Sequence, residues 1–515
     1  MLPENVFSSL WQSVRREWRI CFISAFVLGL AAHLYRLTNW LPNWDGLVFR
    51  YDSSNMTHFG RYCLGLINSL SSYYELPWLN GLLALIYISL AAVCICALFS
   101  LKKSLTCALV GGMVAVFPTV TSTMTYIYTA DGYAAALLCA SISALLLARG
   151  GWKRCILAVL LLAFSCALYQ AYITLAAVLL LIYLVDQLVC HGEEAAVSLK
   201  MALRFLGCGV LAVLLYYLVL QLILSVSGTQ LSEYQELSEI GLSSLSPWLS
   251  AILCVKRFFA FFFDFSKGIN AYSVINILLF ALLLFFLLYA VFKKRIYAAP
   301  PRLGLLIIYL AAMPFAAAAL YFVNPSVDYH NLMTMGYIGF PLILIVLYER
   351  LDDLSGTLLI VKNWSVLLLS AAMIFNFIVI ANISYHSLQM AYERSYGTAI
   401  RIADRIEQTE GAEDCGTLAV FGELPESEAY SLDIPPDITG STAGYILRHD
   451  DAKVGQSVLT SVLNDYCGTD FRFASEEEKD ALRESGTLED MAFWPGRSCV
   501  AVQGDTVIIR LGEEP

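Results

Sequence analysis

Long apolar stretches separated by short polar ones fill the first three quarters of the chain, and the pattern stops after Ser384. A helix needs about 20 apolar residues to cross a bilayer. Eleven runs approach that length: 20–37, 77–99, 105–121, 131–148, 154–170, 172–190, 206–226, 271–291, 303–322, 335–348 and 364–384. The pair 154–170 and 172–190 can also be read as one bent segment, and 335–348 is short for a span. The expected fold is an all-α polytopic membrane body of 11 transmembrane helices over residues 20–384, after an N-terminal stretch 1–19.

Beyond Ser384 the pattern changes twice. HSLQMAYERSYGTAIRIADRIEQTE keeps apolar residues at helical spacing and predicts an amphipathic continuation of the last span. TLAVFG (417–422), SCVAVQ (498–503) and TVIIRL (506–511) then have strand character, the last two joined by a Gly504-Asp505 hairpin turn. SEEEKDALRE has the form of a capped helix. Residues 385–515 are thus expected to form a small α/β domain.

Composition agrees with the membrane reading: 58% of residues are hydrophobic and 14% are charged, against about a quarter charged in soluble domains. The net charge of −10 is unevenly spread. From His386 onward there are 25 acidic and 10 basic residues, whereas the remainder holds 17 acidic and 22 basic. An acidic appendage argues against nucleic acid as the partner. Most of the 14 cysteines lie in apolar runs, and none forms a zinc-type C-x-x-C pair. Cys415, Cys467 and Cys499 fall in the tail, where an odd number leaves the pairing open.

Lys and Arg set the expected sidedness. With Arg15, Arg16 and Arg19 before a retained first span, the alternate loops hold Lys102 and Lys103, Arg149, Lys153 and Arg154, Lys200 and Arg204, Lys293 to Arg302, Arg350 and Lys362. The opposite loops around 122–130, 171 and 323–334 hold no Lys or Arg. The N-terminus is therefore read as cytoplasmic, and the first loop (38–76) and the tail as extracytoplasmic. Exceptions on that outer side are Arg50, Arg61 and the cations flanking FFAFFFDF (258–265), a block read as an interfacial helix or a buried re-entrant piece.

There is no phosphate-binding loop, dinucleotide glycine fingerprint or H-E-x-x-H. What remains is polar residues at the outer ends of spans, where ionisable groups are functional candidates. Asp45, Asp52, His58 and Arg61 lie in the first loop, Asp131 opens the fourth run, and Tyr169-Gln170 forms a tight turn. Asp328 and His330 lie in NPSVDYHN. Asp45 and Asp131 have a second reading as helix caps, and the remainder as anchors or turn-fillers. Together they suit group transfer from a membrane-embedded donor to an acceptor at the outer surface. Asp45, Asp52 and Asp131 are the catalytic candidates; Arg61, His58, Tyr169, Gln170, Asp328 and His330 are those for substrate binding. A departing phosphate would be met by Arg61, or by Mg²⁺ or Mn²⁺ with Asp45 and Asp131 as ligands.

The Asp-bearing first loop ending in Gly60-Arg61-Tyr62, followed in order by YTADGYAAAL and LYQAY, resembles the bacterial glucosyltransferase-domain family of Gtr-type serotype-conversion enzymes. The resemblance runs over roughly residues 20–385. It implies a GT-C-type glycosyltransferase of the bacterial plasma membrane. Such an enzyme takes a polyprenyl-phosphate sugar, typically undecaprenyl-phosphate glucose, and modifies a surface polysaccharide or lipid-linked glycan. The family's first acidic position falls on Asp45; where members often have an acidic pair, this chain has Asp45-Gly46. The competing reading is a transporter or flippase for a lipid-linked sugar, for which paired halves and midplane charges would be expected.

Overall fold

The protein is described from a computed structural model, over residues 9, 12–48, 56–231, 246–265, 268–323, 330–351, 356–425, 436, 438–441, 444–448 and 452–513. The helices of the first half are α1 (Arg16–Thr38), α2 (Trp44–Val48), α3 (Leu64–Asn68), α4 (Pro77–Leu98), α5 (Ser104–Val116), α6 (Pro118–Thr125), α7 (Ile127–Arg149), α8 (Trp152–Leu168), α9 (Ile173–Val189) and α10 (Ala195–Ser227). They are followed by α11 (Pro247–Phe262), α12 (Ala271–Lys293), α13 (Pro300–Ala317), α14 (Ala319–Val323), α15 (Gly339–Arg350) and α16 (Gly356–Glu407). The last part adds α17 (Ala452–Cys467), α18 (Glu476–Glu484) and strands β1 (Thr417–Phe421), β2 (Arg472–Phe473), β3 (Val500–Gln503) and β4 (Thr506–Arg510). The chain divides into two compact units: 1–38, 52–382 and 434–439 form the first, and 39–51, 383–433 and 440–515 the second.

Among the described residues, nine helical segments are long and apolar enough to cross a membrane. The expected count of eleven is therefore not confirmed. The run 154–170 carries α8, of only 17 residues, and 335–348 carries α15, of 12. The bent-segment reading of 154–190 gives way to two helices, because Tyr169 adopts an extended backbone (φ −159°, ψ 113°) between them. Proline sets several starts: Pro77, Pro118, Pro247 and Pro300 each open a helix, where the missing N–H has no partner to lose. Pro118 also splits the third run, since Phe117 before it is forced out of the helical region (ψ 142°). α11 begins before the Phe-rich block, and its Ser250, Cys254, Phe258 and Phe262 face is buried, with Phe258 and Phe262 against Tyr337 and Phe262 also against Phe340.

In the first unit α4 packs on α7 and α1, α1 on α5, and α8 and α9 flank α7. A side chain at Gly111 would collide with the Cys21 carbonyl, so α1 and α5 approach at backbone distance. One end of this bundle is fastened by cations. Arg149 donates to the Ala97 carbonyl (3.3 Å), Arg204 to Leu147 (3.0 Å), Arg302 to Leu188 (2.7 Å), and Arg350 to Phe99. These carbonyls lie at or next to helix C-termini, where intrahelical donors are missing and the dipole is negative. Arg350 also grips buried Asp186 with two bonds of 3.0 and 3.1 Å, and the Lys102 and Lys103 amides donate to buried Glu349 (2.8 and 3.1 Å).

In the second unit the strands form one sheet, ordered β2-β1-β4-β3. β1 is parallel to β2 and β4, with α17 as the crossover between β1 and β2, and β3–β4 is the expected hairpin. Ala419, Phe421, Ala474, Leu482, Met491 and Ile508 form the sheet's core. α18 has the expected capping box, Ser475 and Glu478 each bonding the other's backbone. Cys415, Cys467 and Cys499 are all unpaired thiols.

Because Asp186 is 1% exposed at its side chain, Asp186→Ala leaves a guanidinium without its counter-charge, at an expected cost of about 3–5 kcal/mol. Adding Arg350→Met should recover most of it. Thermal unfolding in detergent measures both; equal midpoints for wild type and Asp186→Ala would contradict the fastening role.

Candidate functional site

The polar end of the first unit is organised by the turn at residues 56–63. Thr57–Phe59 form a single 3-10 turn closed by Gly60, which has φ of 75° and donates to the Thr57 carbonyl. A Cβ at this position would lie 2.5 Å from Tyr216 Oη and 2.8 Å from Gln170 Nε2. Those two groups are clamped to the turn itself. Gln170 Nε2 donates to the Phe59 carbonyl (2.8 Å) and to Tyr216 Oη (3.0 Å), while Tyr216 Oη donates to the Gly60 carbonyl (3.1 Å). Tyr62 stacks on Tyr216 at 5.8 Å, and the Cys63 amide donates to the Ala167 carbonyl (3.0 Å). The structure thus joins Gly60-Arg61-Tyr62 to Tyr169-Gln170.

This clamp points Arg61 into an aromatic cage. Its guanidinium carbon lies 5.0 Å from the Tyr169 ring centre, 5.5 Å from Tyr133 and 5.7 Å from Phe59, and Nη1 donates to Tyr133 Oη (2.5 Å). Tyr133 and Tyr169 stack at 4.2 Å, forming one wall. Arg61 Nε is buried without a hydrogen-bond partner, and Arg61 has no carboxylate partner among the described residues. Aromatic faces stabilise the cation but leave donors available for a planar or tetrahedral anion. His58 packs on Phe59 at 4.1 Å. Burial, and then the charge on Arg61, push its pKa below the usual histidine value, so Arg61 is the fixed charge here.

Asp131 belongs to a different cluster. It is fully buried inside α7, four residues past the helix start, so the capping reading does not hold. Ser71 donates to Oδ2 (2.7 Å) and Asn80 to Oδ1 (3.4 Å); Asn80 also donates to Ser71 (3.0 Å) and accepts from the Leu76 amide (2.9 Å). Nearby in sequence, Glu75 pairs with Arg36 at 3.0 Å, both almost wholly buried, and Arg36 Nε donates to the Met124 carbonyl (3.1 Å). These bonds tie the second half of the first loop to α1, α4 and α7. Arg36, Glu75, Tyr133 and Tyr216 were not singled out from the sequence. Their only signal is polarity within or next to apolar runs.

Asp45 lies in the second unit, half-buried in the first turn of α2, which packs on α17. The cap of α2 is Asn43, whose side chain accepts from the Gly46 amide (2.9 Å), so Asp45 is not the N-cap. Asp52 and Asp328 lie outside the described residues. His330, in the first unit, precedes a turn at Asn331–Met333 whose Asn331 amide donates to Thr439 Oγ1 (3.0 Å). Ser122 and Thr125 of α6 both donate to the Thr439 carbonyl (2.9 and 3.0 Å). Among the described residues no group of three or more His, Cys, Asp and Glu side chains could hold a metal ion. Both Asp131 oxygens already face hydrogen-bond donors, which does not fit a ligand set for Mg²⁺ or Mn²⁺.

The family model for the glucosyl transferase GtrII matches residues 34–346. The chain belongs to the GtrII glucosyl transferase family. No curated protein and no solved structure matches it. The stretch common to GtrII proteins holds Asp45, the Arg61 turn, Asp131 and Tyr169-Gln170 of this chain, and stops before α16. Membership makes this a transferase family protein embedded by apolar helices, with a sugar donor and a glycan acceptor.

Two outcomes are expected for the GtrII turn. Gly60→Ala must displace Gln170 or Tyr216 and adopt a strained backbone, costing roughly 1–3 kcal/mol; protein that remains folded in detergent should lose most glucosyl transfer. His58→Ala should leave the alkaline side of the pH profile unchanged, because burial and then the charge on Arg61 push the His58 pKa below the ordinary histidine value. A profile that shifts on removing His58 would show that it titrates in function.

Proposed function

We propose that this chain is a GT-C-type enzyme of the bacterial plasma membrane that moves glucose from a polyprenyl-phosphate donor to a surface polysaccharide or lipid-linked glycan. The supporting observation is Arg61: a caged guanidinium with a buried, unpartnered Nε and no carboxylate partner among the described residues. A cation without a counter-ion among the described residues suits a ligand that brings its own negative charge, as a lipid-linked phosphate does. The aromatic surroundings lower the local dielectric and strengthen that attraction. Sidedness inferred from Lys and Arg puts the N-terminus in the cytoplasm and the residues 385–515 outside.

In the proposed reaction an aspartate, with Asp45 as the candidate, takes the proton of an acceptor hydroxyl. The hydroxyl oxygen bonds to the anomeric carbon as the bond from that carbon to the phosphate oxygen breaks. Polyprenyl phosphate leaves with the electron pair, and Arg61 stabilises its growing charge. A single displacement of this kind inverts the anomeric centre. Asp131 acts as a positioning residue through Ser71 and Asn80, Asp52 supports the base, and no step passes through a metal. Tyr169 and Gln170 hold the Arg61 turn, and Asp328 and His330 contact substrate.

The test uses purified protein in nanodiscs with radiolabelled polyprenyl-phosphate glucose and the surface glycan of the source cells. Asp45→Asn should lower transfer roughly 10²–10⁴-fold and Arg61→Gln roughly 10²–10³-fold, with both proteins folded. EDTA should leave the wild-type rate unchanged. Wild-type rates in both variants, or label crossing the bilayer without release of polyprenyl phosphate, would overturn the reading in favour of another site or a carrier.

A further inference from the structure

The second unit holds an aromatic group that neither its sheet core nor the Arg61 cage uses. Tyr392 and Tyr396 sit one turn apart on α16 with rings 6.1 Å apart and nearly parallel, at 12°. Tyr466 of α17 meets both edge-on, at 6.3 and 5.8 Å. Trp40, from the short segment before α2, donates its indole N–H to Tyr466 Oη (2.7 Å). All four residues are half-buried, whereas the neighbouring packing positions Val458, Leu459, Val462 and Leu463 of α17 are fully buried.

A contact made only to join two helices is served by the aliphatic side chains that α17 already supplies. Four polar-tipped rings left half open do something further. Their faces offer flat apolar area at little conformational entropy. A pyranose ring has the complementary form, with C–H groups on its faces and hydroxyls around its edge. Charge narrows the class of ligand. The chain from His386 onward carries 25 acidic against 10 basic residues, and Glu393 and Asp465 beside these tyrosines are exposed. Such surroundings repel an anionic polymer and tolerate an uncharged one.

We propose that Trp40, Tyr392, Tyr396 and Tyr466 form a binding subsite for a neutral hexose-containing glycan, the acceptor of the transfer reaction. The subsite lies in the unit that also contains Asp45. The assignment rests on the glucosyltransferase reading for the word acceptor, while glycan binding itself can be measured without any transfer.

The experiment uses the full chain in nanodiscs and neutral polysaccharide released from the surface of the source cells, with affinity read by thermophoresis and no donor present. Wild type should bind saturably. Tyr396→Ala and Tyr392→Ala should each weaken binding roughly tenfold, whereas Tyr392→Phe, which keeps the stacking face, should stay near wild type. Arg61→Gln should bind the polysaccharide as wild type does while failing in transfer. Should the alanine variants unfold, wild-type chain labelled with 3-fluorotyrosine decides: the Tyr392 and Tyr396 fluorine resonances should shift on adding polysaccharide. Unshifted resonances, or equal affinity in folded alanine variants, would overturn the subsite even if transfer proceeds. Tyrosine-dependent binding without any transfer would keep the subsite and remove the enzymatic reading.

Discussion

The approach of residue 60 to Gln170 and Tyr216 governs the polar end of the first unit. The backbone there turns at positive φ, and its carbonyl and that of Phe59 are held by the same two side chains that fill the space where a Cβ would stand. The turn is therefore specified from both sides, by a conformation that glycine adopts freely and by neighbours that leave room for nothing larger. Arg61 follows immediately, so its direction into the Tyr133–Tyr169 wall is set by main chain and not by a flexible loop. The cost of burying a guanidinium that has no acid beside it among the described residues is offset in part by three aromatic faces and one phenol. A site held in this way is prepared for an anion before one arrives.

Much of the body was legible because apolar run length is a direct readout of helices in lipid. The Gly60-Arg61-Tyr62 and Tyr169-Gln170 elements were legible as well, since glycine next to arginine, and a polar pair between two apolar runs, are conspicuous in such a chain. Boundaries and roles were not. Asp131 looked like the beginning of a helix because it is the first charge in the run, yet α7 starts at Ile127 and the carboxylate is a buried fastener for Ser71 and Asn80. Arg36 and Glu75 are 39 residues apart, and nothing local tells either of the other. Tyr216 lies in the middle of α10, most of whose length is exposed, where a tyrosine reads as ordinary interfacial decoration. The two-residue β2 is too short to carry a detectable period, whereas α17 does display one in Val458, Leu459, Val462 and Leu463 and was legible in principle.

The two ends of the first unit solve the same problem with different chemistry. Where α4, α7 and α9 finish, unsatisfied carbonyls are met by Arg149, Arg204, Arg302 and Arg350. The cations that indicate sidedness in the sequence are thus also parts of the packing. At the opposite end, hydroxyls and amides take over, with Thr119, Ser122, Thr125 and Thr334 binding one another or backbone. Among the described residues no carboxylate pairs with Arg61, which gives that guanidinium more influence over what binds there.

Neither unit is a continuous piece of chain. Residues 39–51 are built into the second unit although they precede almost all of the first, and 434–439 return from the tail to the first, where Thr439 receives three hydrogen bonds. The tail therefore cannot be treated as a detachable cassette. A cut after the last span would remove Thr439 from α6 and from the turn at 331–333, and would strip α2 of its partner α17. Recombination between homologous chains would succeed only where it carries 39–51 together with the distant C-terminal half, a constraint that makes the two ends of this sequence inherit change as one.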